Sequence, residues 1–189
     1  MFGECGWLNE PKAWRREAGV LDVTTDHGTD FWRETHYGFI RDSGHFFGFR
    51  TTGDFTAELR VRARFETLYD QAGLMVRLDA ERWVKAGVEL VDGRPLLSSV
   101  LTVGRSDWAT GASPGDAADF RVRATVAGGV LRLYAATDGH AWSLLRLAPF
   151  PAADSYAVGP MCCTPEREGL RVAFSDFRVG PASGAPLHA

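Results

Sequence analysis

The sequence is poor in three residue types that often carry structural clues: cysteine, lysine and asparagine. The three cysteines are Cys5 and the adjacent pair Cys162 and Cys163. An odd number at this spacing fits neither a disulfide framework nor a zinc site. The one asparagine, Asn9, is followed by Glu-Pro, so there is no N-glycosylation acceptor. These absences favour a protein that folds in a reducing compartment.

No hydrophobic run approaches the roughly 20 residues that cross a membrane. The N-terminal residues, MFGECGWLNEPKAW, lack the basic patch and apolar stretch of a signal peptide. The 21 basic and 24 acidic residues are intermixed and give a net charge of −3, unlike a nucleic-acid-binding surface. We therefore expect a cytoplasmic protein that binds neither membranes nor nucleic acid.

Motifs for metal ions and common cofactors are missing as well. The five histidines have no metal-ligand spacing on a strand. No nucleophile elbow, phosphate-binding loop or dinucleotide fingerprint occurs. The sequence therefore predicts no metal and no cofactor.

What the sequence does contain is a regular alternation of apolar and polar residues. From Phe55 to Phe65 every second residue is apolar, which is typical of a half-buried strand. No stretch of a dozen residues keeps a helical period. Further strand-like segments run near 13–17, 20–25, 72–79, 83–91, 96–104, 119–127, 130–136, 141–147, 155–163 and 170–179. The pattern predicts an all-β sandwich or barrel.

The 189 residues suit one domain. We expect a single β-domain over residues 1–180. The small and polar residues at 181–189 predict a flexible C-terminal tail.

Turn dipeptides predict the register of the hairpins, because a shift of one residue exchanges the two faces of a strand. A two-residue turn at Gly128-Gly129 pairs Val126 with Leu131, and it sets Arg123 opposite Tyr134 on the other face. A two-residue turn at Asp138-Gly139 would place Trp142 on the core face.

The turn at Asp92-Gly93 predicts an unusual outward face on the strand that precedes it. Trp83, Lys85 and Glu89 share this face, which therefore carries an indole, an ammonium and a carboxylate. Lys85 and Glu89 lie about 13 Å apart along the strand at ~3.4 Å per residue, so they cannot pair directly. Such a face suits a polar ligand with an apolar side, as a sugar ring has.

Five short motifs occur in order and span about residues 5–180. They are Trp7-Leu8-Asn9-Glu10-Pro11, Asp30-Phe31-Trp32-Arg33, Tyr69-Asp70-Gln71-Ala72-Gly73-Leu74, Trp83-Val84-Lys85-Ala86-Gly87-Val88-Glu89 and Ser106-Asp107-Trp108. Together they resemble the regulation-of-enolase-like family of the concanavalin A-like lectin and glucanase superfamily. The resemblance implies a concanavalin A-like jelly-roll β-sandwich of two antiparallel sheets, one of them concave. It implies no particular activity, since one fold serves many functions.

We expect the concave sheet to bind a small saccharide or a sugar acid. Trp83 would stack on the ring, Lys85 would meet a carboxylate or hydroxyl, and Glu89 would accept hydrogen bonds. The predicted rim contains Tyr69, Gln71, Asp107, Trp108, Arg123 and Tyr134. Asp107 and Trp108 fall in a predicted long loop over residues 105–119, and long loops on sandwiches often bind ligands.

Enzymatic functions in the same cleft are alternatives. A glycosidase needs two carboxyl groups ~5–5.5 Å or ~6.5–9.5 Å apart, so Asp70 or Asp107 would have to approach Glu89. The segment Trp-Val-Lys-Ala-Gly-Val is similar to a strand of alginate-type lyases. The histidine expected two residues after Gln71 and the tyrosine expected after Lys85 are both missing. A third hypothesis is a module that docks a protein or forms a homodimer.

Overall fold

The structure is a computed structural model that describes residues 2–113, 115–137 and 141–187. These residues form sixteen β-strands and no helix. Seven strands form what we name the front sheet, in the spatial order β1 (Gly6–Leu8), β6 (His45–Thr51), β15 (Tyr156–Cys163), β8 (Gln71–Arg77), β9 (Arg82–Val91), β10 (Arg94–Val103) and β11 (Arg105–Ala112). Seven others form the back sheet, in the order β14 (Ser143–Pro149), β13 (Val130–Thr137), β12 (Asp119–Ala127), β7 (Phe55–Ala63), β16 (Arg171–Pro181), β3 (Val20–Thr24) and β2 (Ala13–Glu17). A separate hairpin consists of β4 (Phe31–Arg33) and β5 (Ile40–Asp42).

The front and back sheets pack face to face around an apolar core, because their strands alternate inward apolar and outward polar residues. In β7, Phe55, Leu59 and Val61 are at most 1% exposed. Leu74 of β8 and Val84 of β9 belong to the same core from the opposite side. The predicted antiparallel β-sandwich is confirmed.

The two hairpin registers predicted from turn dipeptides are confirmed. Across the glycine turn, Val126 pairs with Leu131. Across the Asp-Gly turn, Trp83 pairs with Thr102 on the outward face. The third predicted turn, Asp138-Gly139, lies outside the described residues.

The predicted core position of Trp142 is wrong. The Cζ atom of Arg123 lies 4.0 Å from the centroid of the Trp142 ring, on the outer side of the back sheet. The register between β13 and β14 shifts between Leu133 and Tyr134. The error lies nearer the turn: a two-residue turn at Asp138-Gly139 would pair Ala135 with Trp142, but Ala135 pairs with Ser143. This shift of one residue moves Trp142 to the opposite face.

The segment 105–119, predicted as a long loop, begins with a strand instead. Strand β11 pairs with β10 along its whole length and forms an edge of the front sheet. Asp107 and Trp108 are consecutive in this strand, so their side chains point to opposite faces. Asp107 forms an ion pair of 2.6 Å with Arg146 of β14, which links neighbouring edges of the two sheets.

A feature that the sequence pattern did not predict is the β4–β5 hairpin, which covers part of the outer face of the front sheet. It contributes to a second apolar cluster, whose buried members are Phe31, Trp32, Phe46, Met75, Trp83, Val100, Met161 and Cys163. Arg77 of β8 holds the hairpin through two hydrogen bonds to the Asp42 carboxylate, of 2.9 and 2.8 Å. The front sheet is therefore packed on both faces.

The residues after Pro181 contact the outer face of the back sheet. Arg132 donates hydrogen bonds to the carbonyl groups of Ser183 and Ala185, at 2.8 and 3.2 Å. The hydroxyl of Tyr134 donates to the carbonyl of Leu187 at 3.3 Å. The single-domain organisation and the flexibility of residues 181–189 stay predictions.

Candidate functional site

A cavity of about 170 Å³ lies between the outer face of the front sheet and the β4–β5 hairpin. Its floor comes from β8 and β9, and its walls come from β11 and from the hairpin with its connecting turn. The hairpin closes the sheet face on one side, so the cavity is a recess rather than a long open groove.

Four aromatic side chains form a closed circuit around the cavity. The Trp32 ring packs edge-on against Tyr37 and Trp108, with centroid distances of 5.6 and 6.4 Å. Tyr69 packs against Trp108 at 6.5 Å. The hydroxyl groups of Tyr37 and Tyr69 complete the circuit with a hydrogen bond of 2.9 Å. Aromatic side chains therefore line a small cavity that has polar groups at its base.

Lys85 at the base of the cavity is paired with Asp30, the residue that directly precedes β4. Its Nζ atom lies 3.1 Å from Oδ1 of Asp30, and the two side chains are only 5% and 11% exposed. Burial acts to lower the pKa of Lys85, but the Asp30 carboxylate and more distant anionic groups outweigh it and raise that pKa. Lys85 is therefore charged and already neutralised by Asp30.

Glu89 uses one carboxylate oxygen for the protein and leaves the other open. Its Oε2 accepts hydrogen bonds from the Ser98 hydroxyl at 2.7 Å and from the Trp108 indole at 3.1 Å. Its Oε1 accepts no hydrogen bond from any described residue. Burial raises the pKa of Glu89, although Lys85 and these donors act in the opposite direction. This carboxyl group is therefore able to accept or donate a hydrogen bond in the cavity.

Tyr69 and Gln71 come from the connection that enters β8 and from the first residue of that strand. Tyr69 has a positive φ of 63°, and the Gln71 amide donates to its carbonyl at 3.3 Å. The hydrogen bond with Tyr37, followed by burial, raises the pKa of Tyr69 to about 12. The Tyr69 hydroxyl is therefore protonated across the physiological pH range.

Five predicted site residues line the cavity: Tyr69, Gln71, Lys85, Glu89 and Trp108. The structure thus brings together residues from β9, β11 and the entry to β8. Trp83 does not line it, because the residue is 1% exposed beneath Phe31, at a centroid distance of 6.0 Å. A stacking role for Trp83 is therefore excluded by its burial in the second apolar cluster.

Three other predicted rim residues lie elsewhere. Asp107 points away from Trp108 and pairs with Arg146. Arg123 and Tyr134 lie on the outer face of the back sheet, where Arg123 Nε is 2.7 Å from Oε1 of Glu58. The alternation places these two residues on an outward face, but it does not say which sheet that face belongs to.

The carboxyl groups considered for a glycosidase do not join Glu89. Asp70 is fully buried and accepts hydrogen bonds from Arg167 Nε, at 2.9 and 3.1 Å. Asp107 is held by Arg146. Neither aspartate lines the cavity.

The alternation pattern did not identify the cavity residues at the β4–β5 hairpin and in the loop after β15, namely Asp30, Trp32, Tyr37, Phe39, Arg41, Pro165 and Glu166. Asp30 and Trp32 do belong to one of the family motifs, which is the signal that could have identified them. The other residues have no local signature, because their position depends on how the hairpin folds over the sheet.

Fold and cavity together define a β-sandwich protein of the concanavalin A-like class with one partly covered sheet face. Within this class, the chain belongs to the family described as Protein of unknown function (DUF1349), whose model matches residues 7–182. Regulation of enolase protein 1 of Saccharomyces cerevisiae is 56% identical over 182 residues, which cover 96% of this chain and 92% of the relative. The resemblance indicated by the sequence motifs is confirmed.

Solved structures agree with this assignment. A functionally unknown protein from Saccharomyces cerevisiae superposes with a TM-score of 0.95 at 54% identity, covering 97% of this chain and 99% of that one. A mutant of the GH43 protein BlXynB from Bacillus licheniformis gives a TM-score of 0.72 at 12% identity, over 95% of this chain and 37% of that one. The carbohydrate binding module CBM66 from Bacillus subtilis gives 0.56 at 14% identity, over 94% and 96%. The last two likenesses show the fold alone.

Across the described ranges, no helix has the length and hydrophobicity needed to cross a lipid bilayer.

Proposed function

We propose that the protein binds a small neutral saccharide in the cavity between the front sheet and the β4–β5 hairpin. The observation that carries this proposal is the circuit of four aromatic rings above an open carboxylate oxygen of Glu89. A sugar ring presents apolar C–H faces and a periphery of hydroxyl groups, which match aromatic walls and a polar base.

The size of the cavity favours a single sugar ring. Drug-sized ligands occupy pockets of ~300–1,000 Å³, whereas this cavity measures about 170 Å³. The amide of Gln71 and the open oxygen of Glu89 are placed to bond the hydroxyl groups of such a ring.

The charges of the cavity favour a neutral sugar over the sugar acid that the sequence also left open. Lys85, the cation expected to bind a carboxylate, is neutralised by Asp30. Glu89 and Glu166 are further acidic groups in the lining, and Arg41 is its other cation. Arg41 lies over the Phe39 ring, at 4.5 Å from the centroid. A ligand carboxylate would therefore meet more negative than positive charge.

The names of the structural neighbours support a sugar-related role. CBM66 is, by its name, a carbohydrate binding module, and it matches this chain over nearly its whole length. Three other matched structures carry GH43 in their names, one of them as a GH43 glycoside hydrolase, and this chain covers 34 to 38% of each. Sugar binding is therefore a known function of proteins with this fold. The residues that line the cavity determine which ligand this chain would bind.

The test is a calorimetric titration of the protein with neutral pentoses and hexoses, and with uronic acids. Glu89→Gln should weaken the binding of the responding sugar by about tenfold, since a hydrogen bond to a charged group contributes ~1.5–3 kcal/mol. Asp107→Asn is the matched control, because it neutralises a carboxylate outside the cavity, and it should leave the affinity unchanged.

Choline belongs in the same panel, since an aromatic cage with a nearby carboxylate also suits a quaternary ammonium ion. A response to choline alone, or no saturable response to any sugar, would overturn the proposal. Equal losses in Glu89→Gln and Asp107→Asn would also contradict a site in this cavity.

A regulatory role is a second candidate, favoured by the 56% identity to Regulation of enolase protein 1. If this chain shares that role, enolase activity in extracts should differ between cells with and without the protein. A purified enolase mixed with an equimolar amount of the protein distinguishes a direct effect on the enzyme from an effect on its synthesis. Unchanged enolase activity in both measurements would remove this candidate.

A further inference from the structure

A groove of about 410 Å³ lies at one end of the back sheet and shares no lining residue with the cavity. Arginines dominate its polar lining. Arg62 lies near the end of β7 and Arg64 directly after that strand. Arg167 lies in the β15–β16 connection and Arg171 at the start of β16. Both Arg62 and Arg64 are exposed, as expected for alternate residues that share a strand face. The groove therefore gathers guanidinium groups from three separate parts of the chain.

One of these arginines is firmly held by a buried carboxylate. Arg167 donates from Nε to Oδ1 of Asp70 at 2.9 Å, and Asp70 is fully buried. Asp70 in turn accepts backbone hydrogen bonds from Glu66 and Thr67, at 2.9 and 3.1 Å. Arg167 is thus fixed in orientation at the side of the groove.

The other arginines keep their hydrogen-bond donors available. Arg62 Nε is 3.6 Å from Oδ2 of Asp119, whose two oxygens already accept hydrogen bonds of 2.7 Å from Arg60. Arg64 and Arg171 have no hydrogen-bond or ion-pair partner within the described part of the chain.

The groove is strongly positive in an acidic protein. Glu66 is the one carboxylate that lines it among the described residues, and its Oε2 lies 3.6 Å from Arg167. Glu66 and Asp70, which binds Arg167, offset two of the four guanidinium groups, so two positive charges remain, whereas the whole chain has a net charge of −3. Like charges held close together repel one another, and a bound anion relieves that repulsion.

We infer that this groove binds the phosphate group of a small phosphorylated molecule. Guanidinium forks match the oxygens of phosphate and bind them through paired hydrogen bonds. A phosphate monoester has a charge of about −1.5 to −2 at neutral pH, which fits the excess positive charge. Asp70 binds Nε and Nη2 of Arg167 and so fixes the orientation of its Nη1 group, while Arg64 and Arg171 supply unused donors. The groove volume lies within the ~300–1,000 Å³ typical of small-molecule sites.

The experiment is a calorimetric titration at low ionic strength, with inorganic phosphate and pyrophosphate as probes. The native protein should bind both saturably. The double variant Arg64→Gln/Arg171→Gln should bind at least about tenfold more weakly, because two charge-assisted hydrogen bonds are lost. Arg50→Gln/Arg94→Gln is the matched control, since it removes two positive charges from exposed positions outside the groove. Thermal unfolding verifies that each variant is folded.

Three results would overturn the inference. One is the absence of saturable binding of either probe at millimolar concentration. Another is an equal loss in the control variant, which would indicate general electrostatic attraction. The third is binding to phosphatidic acid vesicles without binding of the soluble probes, which would indicate a lipid surface. Arg64→Gln and Arg171→Gln as single variants repeat the test if the double variant does not fold.

The phosphate site is independent of the proposed saccharide site. Glu89→Gln should leave phosphate affinity unchanged, and Arg64→Gln/Arg171→Gln should leave sugar affinity unchanged. Failure of one site is therefore distinguishable from failure of the other.

Discussion

The indole of Trp108 donates a hydrogen bond of 3.1 Å to the carboxylate of Glu89, and this contact joins edge strand β11 to β9 at the base of the cavity. The same indole nitrogen lies 3.0 Å from the Ser98 hydroxyl, which is also bonded to Glu89. Three strands thus converge on one carboxylate oxygen, and the second oxygen faces the cavity without a protein donor.

The raised pKa of Glu89 predicts that the charged carboxylate destabilises the folded state. When the pKa of a carboxyl group is higher in the folded than in the unfolded protein, the folded state loses stability as the pH rises between the two pKa values. Glu89→Gln should therefore raise the melting temperature at pH 7. The difference in melting temperature between Glu89→Gln and the native protein should become smaller as the pH falls toward the ordinary pKa of glutamate.

Thermal melts of both proteins between pH 4 and pH 8 measure this effect. Asp107→Asn serves as the control, because it makes the same carboxylate-to-amide change at an exposed position outside the cavity. The melting temperature of Glu89→Gln is compared with that of the native protein at each pH. A smaller advantage for the variant at pH 7 than at acidic pH would contradict the prediction.

The pair formed by Lys85 and Asp30 predicts strong coupling between two residues 55 positions apart in sequence. Lys85→Met or Asp30→Asn leaves a buried charge without its partner and should cost about 3–5 kcal/mol of unfolding free energy. The double variant should be more stable than the sum of the two losses implies. Urea unfolding of the four proteins gives the coupling energy, and additive losses would show that the contact has no energetic role.

The neighbouring strand leaves no space for a side chain at Gly87, on the floor of the cavity. A Cβ atom at this position would lie 2.0 Å from the carbonyl oxygen of Ala72 on the neighbouring strand. Gly87→Ala should therefore cost at least about 1–3 kcal/mol, as overpacking does. Gly111→Ala is the control, because nothing lies within 4 Å of its added Cβ. Equal stabilities of the two variants in urea would disprove the close approach.

The Tyr37–Tyr69 hydrogen bond predicts a measurable shift in phenol titration. This bond is the largest cause of the pKa of about 12 at Tyr69, so Tyr37→Phe should return that pKa toward the usual value near 10. Ultraviolet absorbance of tyrosinate between pH 9 and pH 12 follows the change, and Tyr134→Phe is a control on the back sheet. If the absorbance titration of Tyr37→Phe differs from that of the native protein only by the loss of one tyrosine, the result would argue against the Tyr37–Tyr69 hydrogen bond.

Much of the sandwich was predictable because its determinants are local. Two-residue turns fix which residues of a hairpin share a face, so the pairing of Val126 with Leu131 and of Trp83 with Thr102 followed from the sequence. Strand β11 was missed because it is an edge strand of small and polar residues, in which burial imposes little alternation.

The candidate site was less predictable because it depends on contacts between distant segments. Alternation correctly placed Trp83 on the outer face of β9, but the β4–β5 hairpin buries that face at this position. Arg123 was likewise placed on an outward face, yet alternation does not distinguish the front sheet from the back sheet. Family motifs gave the only sequence signal that Asp30 and Trp32 belong with Lys85 and Trp108.

The covering hairpin also limits what shape of ligand can enter. An uncovered concave sheet admits the interior of a long chain, which can extend beyond both ends of the site. Here Phe31 and Trp32 occupy part of that face, and Arg77 and Asp42 hold the hairpin in place. A saccharide bound in the remaining recess must therefore be a free monomer or the terminal unit of a polymer, not one of its internal units.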